Sequence, residues 1–154
     1  MTINRAPEQV VRAWNDAYTR HDLDTALAFM SDDFVRCGEA TNWAPMSKQV
    51  WGAIMREFFV AFPDWTWELT RLVASGDTVV CQFVERGTFT APYNIMPGLT
   101  LPPNGKSFVD HDCDWFRVSE TGLITELRVY ASHDLEATYG FSSAIRAFMA
   151  AKHS

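Results

Sequence analysis

The stretch Val109-Asp110-His111-Asp112-Cys113-Asp114-Trp115-Phe116-Arg117-Val118 constrains this chain more than any other. It reads as a β-strand. Side chains on a strand alternate between faces, so Asp110, Asp112 and Asp114 share one face with Phe116 and Val118. His111, Cys113, Trp115 and Arg117 share the other. A row of carboxylates beside apolar residues is costly unless water, a cation or a proton neutralises it. That face is therefore either wet or the wall of a pocket in which a carboxylate works.

The 154 residues suit one domain, 1–154, and a hydrophobic content of 47% supplies a sizeable core. The net charge of -6 argues against nucleic acid as a partner, because phosphate binding needs a basic surface. No apolar run is long enough to span a bilayer, and Met1-Thr2-Ile3-Asn4-Arg5 leads into a polar helix, so no membrane is expected and the default compartment is the cytoplasm. Cys37, Cys81 and Cys113 are widely spaced and odd in number; they read as free thiols.

Pro7 suits the first turn of a helix in which Val10, Trp14, Ala17 and Tyr18 recur at helical spacing. Asp24 is expected to cap a second helix carrying Leu27 and Met30, closed by Ser31-Asp32-Asp33. Phe34–Cys37 suits a short strand. Ser47 caps a third helix with the apolar stripe Val50, Trp51, Ile54, Met55 and Phe58, ended by Phe62-Pro63-Asp64. The period then changes to that of strands: 65–74, a turn at Ser75-Gly76-Asp77, and 78–90. Residues 91–105, rich in proline and glycine, read as a loop. The carboxylate strand follows, then a turn at 119–122, a last strand over 123–132 and a helix over 142–151. Helices followed by consecutive antiparallel strands indicate an α+β fold, a curved sheet around N-terminal helices with an internal pocket at its open end.

Several segments carry a family resemblance in their order: Ala61-Phe62-Pro63-Asp64, Gly76-Asp77-Thr78-Val79-Val80, Arg86-Gly87-Thr88-Phe89, Gly105-Lys106, Asp114–Val118 and Gly122–Glu126. Together they resemble the SnoaL-like polyketide cyclases of the nuclear-transport-factor-like superfamily, whose fold is a cystatin-like α+β cone. The resemblance implies a small-molecule acid/base enzyme of the cyclase, isomerase or dehydratase kind, working without an organic cofactor on a hydrophobic carbonyl compound. It also implies that the faces holding Asp110, Asp112, Asp114 and Phe116, Glu126, Arg128, Tyr130 and Ser132, and Arg86 and Thr88, converge inside the cone. The departures matter. The family's acid/base Asp at the end of the last strand falls at Ser132, with His133 and Asp134 beside it. The two catalytic aspartates of limonene-epoxide-hydrolase-like members fall at Thr88 and Ser132, and the Asp of scytalone-dehydratase-like members falls near Thr19.

Asp114 is the first candidate for general acid or base, since burial and neighbouring carboxylates raise its pKa. It reads equally as a structural partner of Arg128 or Arg86. Asp112 either shares a proton with Asp114 or sits solvated at the mouth. Arg128 and Tyr130 are candidates to stabilise an oxyanion, and Arg86 to bind the substrate oxygen; charge compensation and packing are the alternatives. Tyr18, Met55, Phe116 and Ser132 are further substrate-binding candidates, with Trp43 a pocket lid and Trp14 and Trp51 either wall or plain core. A metal is not expected, because ligands two apart on one strand point in parallel. The expected partners are a hydrophobic small molecule and a second copy of the chain, docked through the outer sheet face where Trp115 needs cover. The alternative to an enzyme is a non-catalytic small-molecule-binding module of the same fold, favoured by the missing acid at Ser132.

Overall fold

A computed structural model describes residues 5–38 and 43–132, together with 140, 141, 143, 144, 147 and 151. The chain runs α1 (Pro7–Thr19), α2 (Leu23–Ala28), β1 (Met30–Gly38), β2 (Met46–Ser47), α3 (Lys48–Ala61), β3 (Thr66–Ser75), β4 (Thr78–Thr88), β5 (Tyr93–Met96), β6 (Leu99–Leu101), β7 (Ser107–Val118) and β8 (Ile124–Tyr130). Six strands form one curved sheet in the order β2-β1-β8-β7-β4-β3, an α+β architecture as the sequence indicates. Helix α1 lies across β3, β4 and β7, and α3 packs against β1 and β5. Among the described residues no helix is long and apolar enough to cross a membrane. His133, Asp134 and much of the expected 142–151 helix lie outside the described residues.

Local chemistry accounts for the element ends. Pro7 opens α1, and the Ser47 hydroxyl caps α3 by accepting from the Val50 amide at 3.3 Å. Gly76 and Gly122 take positive φ (58° and 77°) in the turns before β4 and β8, where a side chain would be strained.

Four expectations are corrected. Asp22, not Asp24, caps α2, because its carboxylate reaches the Thr25 amide at 3.2 Å. Met30 to Asp33 belong to β1 and not to the helix end, since β1 is drawn out by pairing along β8. That pairing is parallel, so the sheet is mixed. The loop over 91–105 contains the hairpin β5–β6, which places Ile95, Met96 and Leu99 against the helices.

The core is aromatic. Trp14 is fully buried, stacked on Tyr18 with centroids 4.9 Å apart, and meets Trp67 at 5.5 Å and Phe116 at 5.2 Å edge-on. Trp67 stacks on Phe83 at 3.9 Å, which locks β3 and β4 together beneath α1. Rigid rings on both layers hold helix and sheet apart at a fixed spacing, and that spacing leaves room for a cavity beside them. Trp14→Ala is expected to remove about 3–5 kcal/mol of stability, as for other fully buried aromatics; urea denaturation measures it.

Candidate active site

The cavity measures about 1190 Å³, larger than the roughly 300–1,000 Å³ of ordinary small-molecule pockets. Its walls come from α3, β1, β4, β7, β8 and the β5–β6 hairpin. They include Trp51, Met55 and Phe58 of α3, joined by Tyr18 of α1, Trp65 just before β3 and Trp67 of β3. The apolar stripe of α3 is thus cavity wall over much of its length, which is why Val50 keeps half its surface exposed.

Five carboxyl groups line this apolar space: Glu57 of α3, and Glu85, Asp110, Asp112 and Asp114 of the sheet. β7 pairs with β4 in an unbroken antiparallel register, Glu85 opposite Asp110, Phe83 opposite Asp112 and Cys81 opposite Asp114. The pleat therefore turns Asp110, Asp112 and Asp114 inward, and all three are buried. Glu85 extends the inward row of Val79, Cys81 and Phe83. Carboxylate oxygens of Glu85, Asp110 and Asp112 lie within 4.8 Å of one another, the one grouping among the described residues that could hold a metal ion.

These acids have unequal surroundings. Asp110 Oδ1 accepts from the His111 amide at 2.7 Å, the Ser132 amide at 2.9 Å and the Ser132 hydroxyl at 2.6 Å. Glu85 accepts from the Trp65 indole at 2.5 Å and shares a hydrogen bond with Asp112. Asp112 Oδ1 and both oxygens of Asp114 have no hydrogen-bond partner. Burial, then the charges of Glu85, Asp114 and Asp110, push Asp112 up to about 10. Burial outweighs the Trp65 bond and raises Glu85 to about 7. Burial also raises Asp114 well above the carboxylate range, with the Arg36 charge opposing. Tyr18, buried in the field of Glu85, keeps its hydroxyl proton far above neutrality.

The inward faces of β7 and β4 bring Asp110, Asp112, Asp114 and Glu85 together with Tyr18 and Met55. The other sequence candidates are placed elsewhere. Arg128 and Tyr130 stand on the outer face, because the β7–β8 register shifts between Arg117 and Val118 and leaves Thr125 as an extra residue. That bulge reverses the parity of β8, so Leu127, Val129 and Ala131 line the cavity instead. Arg128 pairs with its neighbour Glu126, and Tyr130 packs on Trp43 with centroids 5.0 Å apart. Trp43 is accordingly no pocket lid. Arg86 alternates outward from Glu85 and meets Glu68 on β3 at 3.5 Å. Phe116 lies below the cavity floor against Trp14. Ser132 is outside the lining and holds Asp110.

Two wall residues escaped the sequence reading. Glu85 follows Val79, Cys81 and Phe83 at strand spacing, the same signal of an acid on an apolar face that marked β7. Arg36 shares a β1 face with buried Phe34 and is the one cation lining the cavity among the described residues.

The family model for SnoaL-like polyketide cyclases matches residues 8–133. The chain belongs to that family. Among solved structures, it is similar to IdmH of Streptomyces antibioticus, a candidate polyketide cyclase, at 24% identity and a TM-score of 0.68 over 88% of this chain and 96% of that one. It is similar to AclR of Streptomyces galilaeus, a candidate hydroxylase, at 20% identity and a TM-score of 0.66 over 81% and 77%. A Catenulispora acidiphila protein with a ketosteroid isomerase-like fold, solved with trimethylamine, matches at 17% identity and a TM-score of 0.63 over 85% and 92%. These likenesses show the SnoaL-like cone fold. No curated protein matches.

The raised carboxyls set a sign for stability against pH. The fold favours their neutral forms, so their contribution is complete below about pH 4 and is lost as pH rises through about 7 for Glu85 and about 10 for Asp112. Asp112→Asn mimics the neutral form. It should leave stability unchanged near pH 4 and raise it by roughly 1–3 kcal/mol at pH 7, read as the difference between variant and wild-type thermal midpoints across pH.

Proposed function

We propose that the protein is a proton-transfer enzyme acting on a hydrophobic carbonyl compound, of the cyclase or isomerase kind. One observation carries this reading: a large apolar cavity holds carboxyl groups whose surroundings drive their proton affinities apart. Glu85, half ionised near neutrality, takes a proton from the carbon beside the carbonyl. Neutral Asp112 or Asp114 gives its proton to the carbonyl oxygen, and the product is the enol. In a cyclase the enol carbon then attacks a second carbonyl of the same molecule. In an isomerase it is reprotonated at another carbon. Either route returns the borrowed protons. Tyr18 donates to the developing oxyanion from the wall, and Arg36 offsets the charge of the carboxylates.

Solvent deuterium entering the α-position of polycyclic ketones, followed by NMR, is the test that needs no knowledge of the natural substrate. Glu85→Gln and Asp112→Asn are each expected to slow exchange by about 10²–10⁴-fold, and the wild-type rate should rise with an apparent pKa near 7. Undiminished exchange in both variants would end this reading.

A second reading, a binding module without catalysis, is favoured by Ser132, which stands where the family places its acid and serves to hold Asp110. It is distinguished by ligand binding with no exchange in the wild-type protein.

We also infer a homodimer through the outer face of β7, where Trp115 and Val109 are 47% and 57% exposed. Sedimentation should find a dimer that Trp115→Glu converts to a monomer; a monomeric wild-type protein would contradict it.

A further inference from the structure

The cavity has a marked imbalance of charge. Glu57, Glu85, Asp110, Asp112 and Asp114 line it, against Arg36 alone among the described residues. An ordinary carbonyl compound leaves that imbalance unaddressed. It also leaves a donor deficit at the deepest point. Asp112 is 5% exposed and Asp114 fully buried, both lie on the wall, and Asp112 Oδ1 and both Asp114 oxygens have no hydrogen-bond partner. Buried acceptors of this kind are expensive unless something supplies a donor or a positive charge. An anionic ligand would worsen both deficits, because it would join carboxylates already within 4.8 Å of one another.

The walls point the same way. Tyr18, Trp51, Trp65 and Trp67 line the cavity, and the Tyr18 ring lies 5.5 Å from Trp51, 5.0 Å from Trp65 and 5.0 Å from Trp67. Electron-rich ring faces beside carboxylates attract a cation that has given up its water. Helix α3 and the β5–β6 hairpin add Met55, Ile54, Ile95 and Met96, an apolar surface that suits a hydrocarbon body and not a small hydrated ion.

We infer that the cavity takes a hydrophobic amine: an organic ligand whose ammonium group sits at Glu85, Asp112 and Asp114 and whose apolar body lies along the aromatic and α3 walls. The inference rests on the reading of the cavity as the ligand site; an ammonium group seated there takes up the acid and base of the carbonyl chemistry, so such an amine is a ligand that is held and not turned over. It excludes phosphorylated, sulfated and free-acid compounds from the site.

Binding then has a proton signature. The groups around Asp112 and Asp114 are Tyr18 from α1, Arg36 from β1, Glu85 from β4, and Asp110 from their own strand. Before binding, Asp112 holds a proton. An ammonium ion arrives with its own charge, favours the carboxylate, and one proton leaves the carboxyl for solvent. The bound state is an ammonium–carboxylate pair, and charge balances through the released proton. A neutral ligand releases none.

The test is calorimetric titration of the full chain with 4-phenylbutylamine, 4-phenylbutan-1-ol and 4-phenylbutanoate, in buffers of different ionisation enthalpy. The amine is expected to bind at least about tenfold more tightly than the alcohol, with the carboxylate weakest. Amine binding should release up to about one proton at pH 7, and its affinity should rise with pH until the amine itself loses charge near about pH 10. Asp112→Asn should abolish proton release and shrink the preference over the alcohol; Glu85→Gln is the second variant should Asp112→Asn fold poorly. Equal binding of amine and alcohol, or amine binding without proton release, overturns the amine assignment and leaves the cavity as the ligand site. Failure of all three probes, with no change in the NMR signals of the cavity aromatics, overturns both.

Discussion

Three carboxylates buried on one face of one strand are the constraint around which this structure is arranged. The pleat leaves no choice: once Phe108, Phe116 and Val118 of β7 face the core, Asp110, Asp112 and Asp114 face it too. Packing them against more carbon alone would cost several kcal/mol for each ionised group. The fold instead opens a cavity over them, and burial favours the protonated forms of Asp112 and Asp114. The packed rings of Trp14, Tyr18, Trp67 and Phe83 offset that cost, although the indole N–H groups of Trp14 and Trp67 are themselves buried without a partner.

Position along the strand then separates the acids. Asp110 lies at the end where β8 runs out, so the Ser132 amide and hydroxyl are free to turn onto it. Asp112 and Asp114 lie farther along β7, away from the Ser132 donors. One carboxyl is therefore held by donors, and its neighbours two and four residues on have oxygens without them. Burial, with the charges of Glu85 and the neighbouring aspartates, raises Asp112 and Asp114, and the pleat that buries them sets both effects.

The sequence made the strand faces legible wherever alternation was unbroken. β7 and β4 pair residue for residue from Thr78 to Thr88, so the inward set can be read directly from the pleat. β8 is different. Its residues Ile124, Glu126, Arg128 and Tyr130 alternate regularly in sequence, yet Thr125 bulges, and the parity beyond it is the reverse of what the spacing implies. A bulge has no dependable mark in a Thr-Glu pair, so the placement of Arg128 and Tyr130 was out of reach. The parallel pairing of β1 with β8 is likewise a long-range contact with no local signal, and it is what brings Arg36 to the cavity. Glu85 was legible, because it ends an apolar alternation as the aspartates do.

The family's acid at the last-strand end becomes Ser132 here, and the consequence follows from the hydrogen bonds. A serine at that point cannot take a proton near neutrality, but its hydroxyl can fix a carboxylate one strand away. With Asp110 fixed opposite Glu85, Asp112 stands diagonally across the β4–β7 pair from Glu85, their carboxylate oxygens within 4.8 Å. Among the described residues the raised carboxyls Glu85, Asp112 and Asp114 therefore lie along the middle of β4 and β7, in the same cavity wall as the rings of Tyr18, Trp65 and Trp67 and with Arg36 as the one cation on the lining.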